Sequence, residues 1–207
     1  DQLDLSNNLM TQAVDPIGEN GVDLRNYGEP IGIIEARKLG ADILDSKIDL
    51  TIAGEQSSYL LMTQLLLGRF LFGLDDDPWK NDKEPAFLCA VPGFDRHFAT
   101  LEGLGLKMHT VNLCSSGIDL DDLNKKLSKY PNIKGLICVP RHSNPSGEVF
   151  SDENITNLLK ITREYDPSFI NLFDHAYLIH DFDETQTQTP IPILADSLNA
   201  MDNIAVF

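Results

Sequence analysis

From residue 86 onward the apolar positions of the chain fall into a repeating rhythm. Residues 86–91 read Ala-Phe-Leu-Cys-Ala-Val. An apolar run of this length without polar alternation fits a strand buried on both faces. Residues 94–104 then predict a helix and residues 107–113 a second strand. Leu120, Leu123, Leu127 and Tyr130 recur at three- and four-residue spacing and mark one face of a helix. Residues 133–139 predict another strand. Ser151 reads as a helix N-cap, with Asp152 and Glu153 in the first turn and Ile155, Leu158, Leu159 and Ile161 behind it. Residues 169–173 predict a strand, 193–201 a helix, and a further strand starts near Ile204. Strands alternating with helices predict an α/β fold, a mostly parallel sheet with helices on both faces. In such sheets ligands bind beyond the carboxyl ends of the strands.

The first part of the chain lacks this rhythm. Residues 1–30 carry Asn7-Asn8, Asp15-Pro16, Gly18, Gly21 and Gly28-Glu29-Pro30, and read as an arm of loop. Ile33, Ile34, Ala36, Leu39, Ile43 and Leu44 have roughly helical spacing. A short apolar run at 50–53 ends at Gly54, and a helical pattern resumes from Glu55 with Tyr59, Leu60, Met62, Leu65, Leu66 and Phe70. Residues 75–85 are polar and hold Pro78 and Pro85, which predicts a loop. The chain thus divides into an N-terminal arm, 1–30, and one domain, 31–207, within a length of 207 residues that suffices for a sizeable core.

Composition narrows the function classes. The formal charge of −16 argues against a nucleic-acid or anionic-membrane surface. No apolar stretch is long enough to span a membrane. The densest acidic runs, at 75–77 and 119–122, read as a solvated loop and a helix N-terminus rather than metal sites. Three cysteines, Cys89, Cys114 and Cys138, show no CxxC spacing, and two of them lie in strand-like runs. Free buried thiols and a cytoplasmic setting are expected. Neither GxGxxG nor GxxxxGK[ST] occurs.

Two strings carry the candidate chemistry. Ser143-Asn144-Pro145-Ser146-Gly147 follows one predicted strand, and Asp174-His175-Ala176-Tyr177 follows another. The first is a turn that aims Asn144 toward the ligand edge of the sheet. Asp174 ends an apolar strand, where a carboxylate is poorly solvated and wants a cationic partner. Tyr177 can turn its hydroxyl to the same ligand. Taken singly, an ordinary tight turn, a capping aspartate and a core-edge tyrosine explain them as well.

Together with their surroundings these strings resemble a known family. Val91-Pro-Gly-Phe-Asp-Arg-His-Phe98, Cys138-Val-Pro-Arg-His-Ser-Asn-Pro-Ser-Gly147 and Asn26-Tyr-Gly-Glu-Pro-Ile-Gly32 are similar to segments of class I/II aminotransferases of fold type I, and most similar to the bacterial aspartate aminotransferase subgroup. The resemblance implies the large domain of an enzyme that uses pyridoxal 5'-phosphate (PLP) to move an amino group from an amino acid, of the aspartate or glutamate kind, to a 2-oxo acid. It implies that Asp174 pairs with the pyridinium nitrogen, that Asn144 and Tyr177 hydrogen-bond the phenolic oxygen, and that Phe94 stacks on the ring. Gly54, Glu55, Gln56 and Ser57 fall where the family binds phosphate at a strand-to-helix turn. Tyr27 reaches the phosphate of a neighbouring subunit, which implies a homodimer with a shared site. No metal is implied. The family's Schiff-base lysine follows the strand that starts near Ile204, and none of the ten lysines here matches its context. The stretch alone is therefore expected to bind cofactor weakly and not to transaminate.

Arg96, His97, Arg141 and His142 lie near predicted strand ends and read as surface charges or turn formers. His109 and His180 have no evident partner in the sequence. Two rival functions share the same residues: a PLP-dependent β-lyase or decarboxylase, and a non-catalytic sensor domain of the same fold.

Overall fold

A computed structural model of the chain describes residues 17–22, 28–54, 57–74, 76–181 and 188–207. The chain divides into two compact units, Asp1–Gly54 and Glu55–Phe207.

In the first unit, helix α1 spans Ile34–Leu44 and a 3-10 turn spans Ile48–Leu50. The helix begins just after Gly32, whose φ of +91° lies outside helical space. A side chain there would collide with the main chain of Ala53, whose N–H donates to Ile31 O at 2.9 Å. Arg37 is buried, its Nε donating to Thr51 O at 2.9 Å and a terminal nitrogen to Ile48 O at 2.7 Å. These bonds tie the helix to the segment that leads to Gly54.

The second unit opens with α2, Ser58–Phe72. A 3-10 turn, Trp79–Asn81, stands within the stretch predicted as loop. Its Trp79 is buried against Phe87, ring centroids 6.0 Å apart. Then follow β1 Ala86–Val91, α3 Asp95–Gly103, β2 Lys107–Cys114, β3 Gly117–Ile118, α4 Leu120–Lys129, β4 Ile133–Cys138, α5 Asp152–Tyr165, β5 Ile170–Phe173, α6 Ile191–Ser197 and β6 Ile204–Val206. They form one six-stranded sheet in the order β3-β2-β1-β4-β5-β6, parallel except for the β2–β3 pair. The two-residue β3 is too short to read from a pattern. Its outer edge is occupied by the side chain of Asn154, which accepts from Ile118 N–H at 2.9 Å and donates to Ile118 O at 2.8 Å. The amide thus takes the place of a further strand.

Strand alternation divides the core between the two faces. Ala86, Leu88, Ala90, Leu136, Cys138 and Phe173 pack with Leu123 and Leu127 of α4, Ile155, Leu158 and Leu159 of α5, and Ala195 of α6. Phe87, Cys89, Ile137, Ile170 and Leu172 pack on the other side with Met62 and Leu66 of α2, Leu101 of α3, and Trp79. Helices therefore cover both faces, as the unbroken apolar strands require. Burial raises the thiol of Cys89 to about 12. The predicted cap at Ser151 is present, and the acidic run at 119–122 stands at a helix N-terminus as expected. Asp119 accepts from the N–H groups of Asp121 and Asp122 at the start of α4, and Ser151 accepts from Asn154 N–H at 3.1 Å. No helix among the described residues is long and apolar enough to cross a membrane, and no cluster of metal-binding side chains occurs among them.

The chain runs β1 to β2 on one side, then returns to place β4 on the other side of β1. The order reverses there, so the loops leaving β1 and β4 diverge and open a crevice at their carboxyl ends.

Candidate active site

Three loops leave the carboxyl ends of adjacent strands β1, β4 and β5, and each brings one group of the candidate site. Asp174 is the residue immediately after β5. Its N–H donates to Cys138 O at 2.9 Å, which continues the β4–β5 ladder and fixes the backbone level with the end of β4. The residue is 8% exposed. Oδ2 lies 2.8 Å from His97 Nε2, and Oδ1 accepts from Ala176 N–H at 3.3 Å. An ionised carboxylate has room for about four donors, so capacity for a further cationic donor remains. Next to it Cys138 is wholly buried, and both desolvation and the Asp174 charge push its thiol far above the usual range.

His97 stands in the first turn of α3 and is 3% exposed. The surface or turn reading is corrected for this residue: the imidazole is a buried partner of Asp174. The helical spacing of His97 and Leu101, both buried, is the signal that marks an inward face. Phe94, the residue before α3, meets the His97 ring edge-on, centroids 5.2 Å apart at 86°. Phe94, His97 and Asp174 thus form one connected series across the ends of β1 and β5.

Asn144 sits in the turn after β4, which Gly147 closes with φ +85°, a conformation costly for any residue with a β-carbon. Asn144 Nδ2 donates to Tyr177 Oη at 3.2 Å. The phenol therefore accepts from the amide and keeps its own proton for another acceptor. Tyr177 also packs edge-on against His180, centroids 5.7 Å apart, which supplies the partner that His180 lacks in the sequence. His109 likewise finds one, stacking on Tyr130 at 3.7 Å.

Arg141 is buried, again unlike a surface charge, and forms an ion pair with Asp181. His142 takes φ +49° and acts as the turn former expected. His175 is buried with no partner for Nδ1. Burial, then the Arg141 charge, lower it to about 4, against the opposing pull of Asp174.

Of the remaining expected site residues, two are described. Gly54 ends the first unit and is exposed; Ser57 is exposed in front of α2, and its side chain makes no capping bond to that helix. Tyr27, Glu55 and Gln56 lie outside the described residues.

The donor set fits a planar heterocycle that is cationic at one edge and carries an acceptor oxygen at another. Asp174 offers buried negative charge, Tyr177 an unspent proton, and Phe94 an aromatic surface. PLP has these features, and Asp174, Asn144, Tyr177 and Phe94 are the residues able to hold its ring.

Comparison with known proteins agrees with the fold. An aspartate aminotransferase of Corynebacterium glutamicum is 33% identical over 186 residues, 87% of this chain and 42% of that protein. A relative from Mycolicibacterium smegmatis, assigned only provisionally as an aminotransferase, is 34% identical over 200 residues, 94% of this chain and 46% of its own length. The crystal structure of an aspartate transaminase from C. glutamicum superposes with a TM-score of 0.86 at 29% identity, covering 99% of this chain and 49% of the other. The chain spans less than half the length of the two curated relatives. A family model described as aspartate amino-transferase matches residues 1–205, nearly the whole chain, and on that match the chain belongs to the aspartate amino-transferase family.

Proposed function

We propose that the chain is the cofactor-binding part of a PLP-dependent aminotransferase that moves an amino group from an amino acid of the aspartate or glutamate class to a 2-oxo acid. The observation that carries this reading is the buried Asp174 carboxylate, bonded to His97 at 2.8 Å, at the carboxyl end of a strand beside the one that leads to Asn144. When bound, PLP supplies an electron sink for carbanion chemistry at the amino acid's α-carbon. The protein's residues supply orientation and charge. Asp174 keeps a ring N–H protonated by holding negative charge in a poorly solvated position. His97 fixes the direction of that carboxylate through Oδ2. Tyr177, steadied by Asn144, donates its proton to the phenolic oxygen. Phe94 limits tilt of the ring and excludes water from one side. Gly54 and Ser57, with Glu55 and Gln56, supply main-chain N–H groups to the phosphate. Tyr27 reaches the phosphate of the other subunit of a homodimer.

The test is the complete enzyme incubated with L-aspartate and 2-oxoglutarate. Transamination yields oxaloacetate and glutamate in equal amounts, and only when both substrates are present. Pyruvate or ammonia released without a 2-oxo acid would instead identify a lyase and refute the proposal.

A further inference from the structure

The loops after β4 and β5 are joined a second time, away from the Asn144–Tyr177 pair. Asp181 lies four residues past Tyr177. Its Oδ1 accepts from Arg141 Nε at 3.0 Å, and its Oδ2 pairs with a terminal nitrogen of the same guanidinium. Oδ1 also lies 2.7 Å from His142 Nε2. One carboxylate thus grips two consecutive residues, and those residues lead through Ser143 into Asn144. The Arg141 contact uses both carboxylate oxygens against the planar guanidinium fork, the geometry that adds direction as well as attraction.

The backbone explains why such a grip is needed. His142 holds φ +49°, a left-handed conformation that residues with a β-carbon adopt at a cost. The turn that aims Asn144 therefore depends on contacts made after folding. Asp181 supplies one to the imidazole itself and another to the buried residue before it. From Asp181 the chain runs back through a turn, His180 N–H donating to Tyr177 O at 3.1 Å. Two of the cross-links between these loops flank the Asn144 turn: Asn144 to Tyr177, and Arg141 with His142 to Asp181. A shift of one loop against the other at this point strains both.

We propose that Asp181 is a positioning residue that clasps Arg141 and His142 and so holds Asn144 and Tyr177 in the arrangement that receives the cofactor's phenolic oxygen. This rests on the cofactor reading given above. Asp181 touches neither cofactor nor substrate in this role and acts through Tyr177 and Asn144.

The test is a double-mutant cycle on the complete enzyme. Asp181→Asn and Tyr177→Phe are made singly and together, and the dissociation constant of PLP from each apoenzyme is measured by fluorescence titration. Asp181→Asn is expected to weaken PLP binding about tenfold in the native background and less than about twofold in the Tyr177→Phe background, because linked residues are non-additive. The same factor in both backgrounds, or no loss in either, overturns the proposal. Unchanged affinity in Tyr177→Phe alone overturns the cofactor reading, and this proposal with it. Should Asp181→Asn not fold, His142→Asn replaces it in the cycle. Asparagine tolerates the left-handed backbone but loses the imidazole, and a loss of about threefold with the same dependence on Tyr177 is expected.

Discussion

Replacing Asp174 by asparagine in the complete enzyme separates charge from shape. The amide has the size of the carboxylate, and its oxygen still accepts from His97, now 2.8 Å away. The site is only 8% exposed, so water does not fill in for the missing charge. Folding loses the difference between a charged and a neutral hydrogen bond, about 1 kcal/mol. A cationic ring nitrogen facing this position loses its counter-charge. Removing one partner of a buried pair costs about 3–5 kcal/mol, which is about two to four powers of ten in kcat/KM. The assay is steady-state transamination beside a urea unfolding curve on the same preparation. Asp174→Asn should keep nearly all its stability and lose nearly all its turnover. A folded Asp174→Asn enzyme with native turnover would show that the carboxylate does not face the cofactor's nitrogen.

Three further outcomes are expected. Ser151→Ala removes the cap of α5 and should cost about 1 kcal/mol in chemical unfolding without altering kcat; an unchanged midpoint contradicts the cap. His175 is lowered from its ordinary 6.5 to about 4. Between those values only the unfolded chain takes up the proton, so stability should fall with falling pH by at most about 1.4 kcal/mol per unit. It should level off below the lower value, and His175→Gln should flatten that slope; an identical slope in the variant excludes the residue. Of the three thiols in this chain, Cys114 is exposed and Cys89 and Cys138 are buried with raised pKa. An aromatic disulfide reagent should therefore modify Cys114 quickly and the other two only on unfolding, and rapid modification of Cys138 would contradict its packing under Asp174.

The sheet was legible because its central strands are mainly apolar and its helices carry clear inward stripes. Leu123 and Leu127, or Leu158 and Leu159, could lie nowhere but the core. What escaped the pattern is what long-range contact decides. β3 exists because Asn154 reaches its edge, and nothing in residues 117–118 announces a strand. Trp79 sits in a polar, proline-bearing stretch and is buried by a partner, Phe87, that only folding brings to it. The place of Asp174 directly after β5 and of Asn144 in the turn after β4 was readable from the apolar runs that precede them. The role of His97 was not, because its acceptor lies 77 residues away. The same holds for Arg141, whose buried charge is answered by Asp181 from another loop.

The reversal of strand order beside β1 has a consequence for assembly. Phe94, Asn144 and Asp174 follow three neighbouring strands whose pairings, β1 with β4 and β4 with β5, join distant stretches of sequence. No hairpin or helix pair holds two of these groups by itself. The recognition surface comes into being only when the middle of the sheet has zipped together, so small-molecule affinity is a gauge of completed topology. Any ligand captured there acts by mass action on the entire central sheet rather than on a single loop.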